Sequence, residues 1–293
     1  METCGVFPAH PLTPYPPFLV NAALTGMVGT VARIPALPVT PARIVEDALA
    51  CHGAGAAIVH LHAREQDGTP AWRREATGEL IAELRDRAPD LVLCATTSGR
   101  AEPDIDRRAD VLELDGPLRP DMASLTLGSV NFAGGPSVSS METVRELARR
   151  MQARGVRPEL EVFDLGMAHL ANALLDEGLL EPPLYANILL GFPNGAPADA
   201  ETLSLLVRAL PPGTVWAAAG LGAYQRPMNA LALAMGGHVR TGLEDNSRLE
   251  HGTRAPATNP ALVERVVATA VLVGRELASP AQARELLGLA GGA

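Results

Sequence analysis

Short apolar runs, several of them β-branched, alternate along the chain with longer stretches of helical period, and turn residues separate the two. The runs predict strands over 18–24, 56–62, 91–96, 121–126, 159–164, 184–190, 214–219 and 238–241. Between them the 3.6-residue period predicts helices over 41–52, 73–87, 141–154, 167–177, 198–209 and 225–236, with a further one over 259–275. Helix starts carry capping chemistry: Thr40 before Pro41, Ser140, and Asn259 before Pro260. Over 97–120 the pattern is ambiguous, because a strand-like VLEL precedes GPLRP and the fourth unit cannot be counted cleanly. Alternating βα units with no linker between them predict an α/β protein, a single (β/α)8 TIM barrel domain over 1–293 rather than two doubly wound halves. Residues 1–17, broken by five prolines, form an N-terminal arm, and PAQARELLGL at 280–289 forms an extra C-terminal helix outside the barrel or against a neighbouring subunit.

Composition narrows the function. With 293 residues, 47% hydrophobic and 19% charged, the chain can bury one large core without staples. Its net charge of -9 argues against binding nucleic acid or an anionic membrane. All 24 basic residues are Arg, and the absence of Lys excludes a Schiff-base aldolase, a lysine-anchored pyridoxal enzyme and a Walker-type phosphate loop. Carbonyl chemistry in this chain must therefore use a metal or hydrogen bonds. The three cysteines, Cys4, Cys51 and Cys94, form neither a CxxC pair nor a disulfide framework, and they read as small buried hydrophobes of a reducing compartment. The Pro-rich start has no basic signal region and no apolar run is long enough to span a bilayer, so the expectation is a cytoplasmic protein without membrane partners.

His60-Leu61-His62 ends the second strand, where alternation points both imidazoles to one face at the catalytic mouth of a barrel. A third, carboxylate ligand would complete a zinc site with an open position, and HVRTGLEDN offers Glu244 and Asp245 after the eighth strand, with Arg240 on that strand. From spacing alone a second reading stands beside it, with His60 and His62 as satisfied barrel residues and Glu244-Asp245 as a polar loop capping the last helix. Thr96 and Thr97 end the third strand and offer hydroxyls to a substrate oxyanion, or simply close a β-branched strand. Ser124 and Glu161 hold corresponding places on the fourth and fifth strands, and a carboxylate inside an apolar strand is costly unless partnered. Asp164 suits a helix cap. His238 opens the eighth strand at the structural end, while His10, His52, His169 and His251 have no partner at a meaningful spacing. Arg100, Arg119 and Arg226 are anion contacts or solvated loop charges, and no glycine run forms a dinucleotide fingerprint.

The segments NAALTG, PVTPARIVEDALACHGAGAAIVHLHAR with DGTP, ATTSG, DMASLTLGSVNF, RPELEVFDLGM, WAAAGLG and MGGHVRTGLEDN together resemble the β-keto acid cleavage enzymes, from about residue 18 to the C-terminal tail. The resemblance implies a homotetramer of (β/α)8 barrels with zinc or another divalent metal on His60, His62 and Glu244. It implies a β-keto acid and acetyl-CoA as substrates, acetoacetate and a new acyl-CoA as products of a retro-Claisen reaction, and substrate contacts at Thr96 and Ser124. Glu161 matches a buried carboxylate near the site, and Arg240 with Asp245 matches a proton-transfer pair, read here as taking a proton from the acetyl-CoA methyl. In members that take an ammonium-bearing substrate an acidic residue follows the first strand, whereas this chain has Val28. An uncompensated cation in that pocket would be costly, so the expected substrate is neutral or anionic, with Arg100 reaching an acidic tail. Ala223 stands where the family often carries Arg, and Arg226 is a possible replacement. Two other function classes compete: a zinc hydrolase of the amidohydrolase type, disfavoured because the later strands offer His238 alone, and a non-catalytic metabolite-binding barrel, which has no reason to keep the acid, guanidinium and imidazoles together.

Overall fold

The computed structural model describes residues 15–132, 134–250, 252–253 and 255–289, so most of the expected arm, with His10 and Cys4, lies outside the described residues, as does His251. Eight parallel strands close into a barrel: β1 (Val20–Ala23), β2 (Ile58–Leu61), β3 (Val92–Ala95), β4 (Met122–Thr126), β5 (Arg157–Val162), β6 (Tyr185–Leu190), β7 (Val215–Gly220) and β8 (His238–Thr241). Each pairs with its neighbours in sequence, and β8 closes on β1 with Asn21 opposite Arg240. Around them lie α1 (Pro41–Gly53), α2 (Arg74–Arg87), α3 (Ile105–Ala109), α4 (Met141–Arg154), α5 (Leu165–Asp176), α6 (Ala200–Ala209), α7 (Gln225–Ala234) and α8 (Asn259–Leu272), with α9 (Pro280–Leu286) last. All eight strand regions expected from the pattern are strands, because a run buried on both faces between barrel and helices must be apolar throughout. Among the described residues no helix is long and apolar enough to cross a membrane.

The ambiguous stretch 97–120 holds no strand. Asp104 accepts hydrogen bonds from the N–H groups of Asp106 and Arg107 and starts α3, and VLEL continues it as a tight 3-10 turn over Asp110–Glu113 that buries Val111 and Leu112. A short apolar run cannot be assigned to helix or strand by periodicity, and here the aspartate cap decided. Ser140 caps α4 through the Thr143 N–H, and Asp164 caps α5 through the Met167 N–H, starting that helix at Leu165. Thr40 precedes α1 without a side-chain bond, and the cap of α8 is Thr258 rather than Asn259. Asn259 is buried instead, accepting from the Leu243 N–H at 2.7 Å and donating to the Leu24 carbonyl at 3.0 Å, so it ties the loop after β8 to the end of β1.

The C-terminal helix packs against the barrel itself. Ala278, Ala283 and Leu287 pack against Leu19, Ile58, Val92, Met122, Tyr185 and Ala217, so α9 seals the N-terminal end of the barrel. Arg284 on α9 holds Asp121 at 2.9 Å at the entrance to β4. With the barrel interior closed by apolar side chains at that end, the imidazoles His60 and His62 open instead to the opposite mouth. An antiparallel pair not anticipated from the pattern, Val130–Phe132 with Gly135–Ser137, follows β4 and forms part of that mouth.

Candidate active site

A cavity of about 370 Å³ opens at the C-terminal mouth and gathers residues from β2, β4, β5, β6 and β8 and from the loops after β1, β3 and β7. A larger one of about 590 Å³ lies at the opposite end, lined by Arg119, Arg157 and Asp121, and contains none of the convergent imidazoles and carboxylates. Arg119 belongs there, donating to the Arg154 carbonyl, and not to the catalytic mouth.

His60 lies at the end of β2 and His62 one residue beyond it, both buried, with their Nε2 atoms 3.1 Å apart. Glu244 Oε1 is 3.3 Å from His62 Nε2, and Glu244 Oε2 is 4.0 Å from His60 Nε2. The turn that delivers Glu244 needs glycine: at Gly242, φ +148°, a Cβ would meet the Ala23 carbonyl oxygen at 2.0 Å. The outer nitrogens are already engaged, His60 Nδ1 with Glu159 Oε2 at 2.7 Å and His62 Nδ1 with Met27 Sδ at 2.8 Å. Two imidazole nitrogens facing each other cannot satisfy one another while both are lone pairs, and the buried Glu244 Oε2 has no hydrogen-bond partner among the described residues. These three ligand atoms fit a divalent cation. A second cluster of His60, Cys94 and Glu159 does not, because Glu159 is saturated by donors and burial holds the Cys94 thiol well above its ordinary value.

Around Arg240, which is 1% exposed, four carboxylates converge. Its Nε donates to Asp245 Oδ2 at 3.0 Å, and its Nη2 lies 3.4 Å from Asp245 Oδ1 and 3.2 Å from Glu244 Oε1. Its Nη1 faces Glu161 Oε1 at 3.6 Å and Glu159 Oε2 at 3.9 Å. One guanidinium and two imidazoles face four carboxylates, a donor-rich site in which a further positive charge is well placed.

The ionisation states diverge accordingly. Burial alone would lower the His60 imidazolium, but the Glu159 and Glu244 carboxylates outweigh it and raise the pKa to about 9. Burial lowers that of His62. Burial also opposes ionisation of Glu244, yet His62, Arg240 and His60 hold it well below the usual carboxylate range. Burial raises Glu161 and Asp245, with Arg240 pulling the other way in each case. Glu159, buried but surrounded by His60, Arg240 and Asn21, is brought down to about 2.

The other expected residues divide. Thr96, Val28 and Arg100 line the cavity together with Glu161, Arg240 and Asp245. Thr97 and Ser124 do not: the Thr97 N–H donates to Ser124 Oγ at 3.0 Å and its hydroxyl to the Ser124 carbonyl at 2.5 Å, so they join β3 to β4 in the wall. Thr126, one strand alternation beyond Ser124, lines the cavity instead and donates to Glu161 Oε2 at 2.5 Å. Arg226 is exposed and paired with Glu250, and Ala223 lies on the turn whose Gly222 N–H holds the Asp245 carbonyl at 2.8 Å. Sequence reasoning passed over Glu159, Asn21, Asn187, Tyr185, Thr126 and Arg33. The signal for Glu159 was present, since it precedes Glu161 by two residues in the same strand and the argument about a costly buried carboxylate applies to both.

A family model described as beta-keto acid cleavage enzyme matches residues 17–289. The chain is 38% identical over 272 residues to the 3-keto-5-aminohexanoate cleavage enzyme of Fusobacterium nucleatum, covering 92% of this chain and 97% of that protein. It is 39% identical over 276 residues to the 3-oxoadipate:acetyl-CoA acetyltransferase of Cupriavidus necator, covering 93% and 95%. Among solved structures, a complex of ObcA with oxaloacetate superposes with a TM-score of 0.73 at 22% identity, over 87% of this chain and 68% of that one, a likeness of fold.

Proposed function

The chain belongs to the β-keto acid cleavage enzyme family, and from that premise we propose that it converts a β-keto acid and acetyl-CoA into acetoacetate and a new acyl-CoA. The observation that carries the reading is the convergence of His60, His62 and Glu244 beside the Arg240–Asp245 pair in one cavity. Zinc, or another divalent metal, is the proposed cofactor on His60, His62 and Glu244, where it would supply Lewis acidity at the substrate's keto oxygen.

Atom balance identifies the proton that moves. Acetoacetate keeps the acetyl group of acetyl-CoA whole and adds the two terminal carbons of the β-keto acid, so the new bond joins C2 of the β-keto acid to the acetyl carbonyl. The proton therefore comes from C2, flanked by ketone and carboxylate, which corrects the expectation from the sequence that Asp245 takes it from the acetyl-CoA methyl. Asp245 takes it, its basicity raised by burial and its orientation set by the Arg240 fork. The C2 carbanion adds to the acetyl carbonyl, the CoA sulfur moves from that carbon to the keto carbon, and cleavage of the bond between C2 and the keto carbon releases the new acyl-CoA. Asp245 returns the proton to C2 of the departing acetoacetate. Glu161, held by Thr126 and facing Arg240, keeps the guanidinium in place against the reacting groups.

The side chain of the β-keto acid is proposed to be neutral or anionic. Val28 supplies no counter-charge for a cation, while Arg33 and Arg100 line the cavity, Arg100 stacked 4.2 Å over the Phe132 ring with no carboxylate partner among the described residues. The Cupriavidus relative, by its name, acts on 3-oxoadipate, a dicarboxylate. A cytoplasmic homotetramer of single-domain chains is proposed on the family resemblance. Mixing enzyme, acetyl-CoA and zinc with cationic, neutral and anionic β-keto acids, and detecting new acyl-CoA by mass spectrometry, tests the whole reading. Product from neutral or anionic members is expected, with Arg100→Ala reducing turnover of the anionic ones. Free acid released without acetoacetate would favour a hydrolase, and turnover of cationic members alone would overturn the charge assignment.

A further inference from the structure

Glu159 is fully buried on β5, does not line the cavity, and has no part in the chemistry above. Every direction around its carboxylate is nonetheless occupied. Oε2 accepts from His60 Nδ1 at 2.7 Å and faces Arg240 Nη1 at 3.9 Å; Oε1 accepts from Asn21 Nδ2 at 2.6 Å and Asn187 Nδ2 at 2.8 Å. The Tyr185 hydroxyl donates to Asn187 Oδ1 at 3.1 Å and accepts from Asn21 Nδ2 at 3.3 Å, so the two amides that hold Oε1 are themselves tied together. These groups come from β1, β2, β5, β6 and β8, which is most of the barrel circumference.

We infer that Glu159 is a positioning residue that fixes the His60 imidazole for metal ligation. The inference rests on the metal reading proposed above. A carboxylate on Nδ1 keeps the proton on that nitrogen, leaves Nε2 as the ligand lone pair, fixes the ring plane and raises the ligand's basicity. A buried carboxylate kept only for packing is hard to justify, because an apolar residue of similar volume generally serves stability as well or better. The two amides on Oε1 give the carboxylate one orientation, and Oε2 then lies between the two halves of the site.

The test compares zinc affinity by chelator competition in wild-type protein, Glu159→Gln and Asn187→Ser, with circular dichroism and melting of the metal-free proteins as folding controls. Glu159→Gln keeps the shape and removes the charge, and its zinc Kd is expected to rise roughly 10- to 100-fold, with kcat falling and KM for acetyl-CoA little changed at saturating zinc. Asn187→Ser frees one side of Oε1 and is expected to weaken zinc binding several-fold. A folded Glu159→Gln protein with zinc Kd within about twofold of wild type overturns the inference, judged against the second-sphere effects seen in other metal sites. If Glu159→Gln fails to fold, an unchanged Kd in Asn187→Ser overturns it instead. A wild-type protein that takes up no divalent metal defeats the metal reading itself and this inference with it, an outcome distinct from loss confined to the variants.

Discussion

Asp245 and Glu244 are adjacent in sequence and separate in chemistry. Glu244 points at two imidazole nitrogens, with Oε1 also near Arg240, whereas both Asp245 oxygens are turned to Arg240 and the cavity. Removing charge from each should therefore give different losses. Glu244→Gln is expected to weaken metal uptake, and Asp245→Asn to retain the metal while kcat falls by about 10² to 10⁴, the usual worth of a positioned base. Metal analysis of both purified variants beside steady-state rates checks this. An Asp245→Asn protein with near-normal kcat would remove Asp245 as the base.

The elements place these residues through their ends. The loop after β8 is pinned by Asn259 at the start of α8, and the loop after β7 holds the Asp245 carbonyl through Gly222, so the acid pair is set by three units and not by its own turn alone. At the other end of β8, His238 Nδ1 accepts from the Leu19 N–H at 2.9 Å, a bond that needs a neutral ring. Burial, with the Arg275 charge adding to it, lowers the His238 pKa from 6.5 to about 4. Above pH 6.5 the ring is neutral in folded and unfolded chains and this residue confers no pH dependence. Between pH 6.5 and 4 the unfolded chain binds a proton that the fold refuses, so stability falls with pH by about 3 kcal/mol from this residue and then levels. His238→Asn keeps an acceptor near Nδ1 without the titration. Chemical denaturation across that range should therefore show the difference between variant and wild type moving in the variant's favour as pH falls, and parallel curves would refute the assignment.

At the scale of the whole molecule the barrel sets one end aside for stability and the other for chemistry, and at that mouth the Glu244 carboxylate beside two imidazole nitrogens is hospitable to a cation. If a divalent metal binds only the folded chain, zinc at about 100 times its Kd should stabilise the protein by about 2.7 kcal/mol, and chelator should reverse the rise in melting temperature. A melting temperature indifferent to zinc and chelator would speak against a site on His60, His62 and Glu244. Much of this architecture was legible along the chain. Strands in a parallel barrel are buried on both faces and announce themselves as apolar runs, and residues two apart on a strand share a face, which made His60 and His62 a pair before any fold was known. Arg240, Glu244 and Asp245 were legible for the same reason, being a cluster of charge at the end of such a run. Three features were not. VLEL could be helix or strand until Asp104 capped α3; Thr97 and Ser124, each read as a substrate-facing hydroxyl, are bonded to each other in the wall; and α9 had no visible partner until the barrel presented an open apolar end. Glu159 shows the limit most plainly, since its meaning lies in His60, 99 residues away, and in Asn21 and Asn187 on other strands. The sequence by itself determined the period, the barrel and the residue types at its mouth, because these depend on local alternation and burial. Only the tertiary structure decided which carboxylate meets which cation, because that depends on barrel closure, which brings β1, β2, β5, β6 and β8 around one centre.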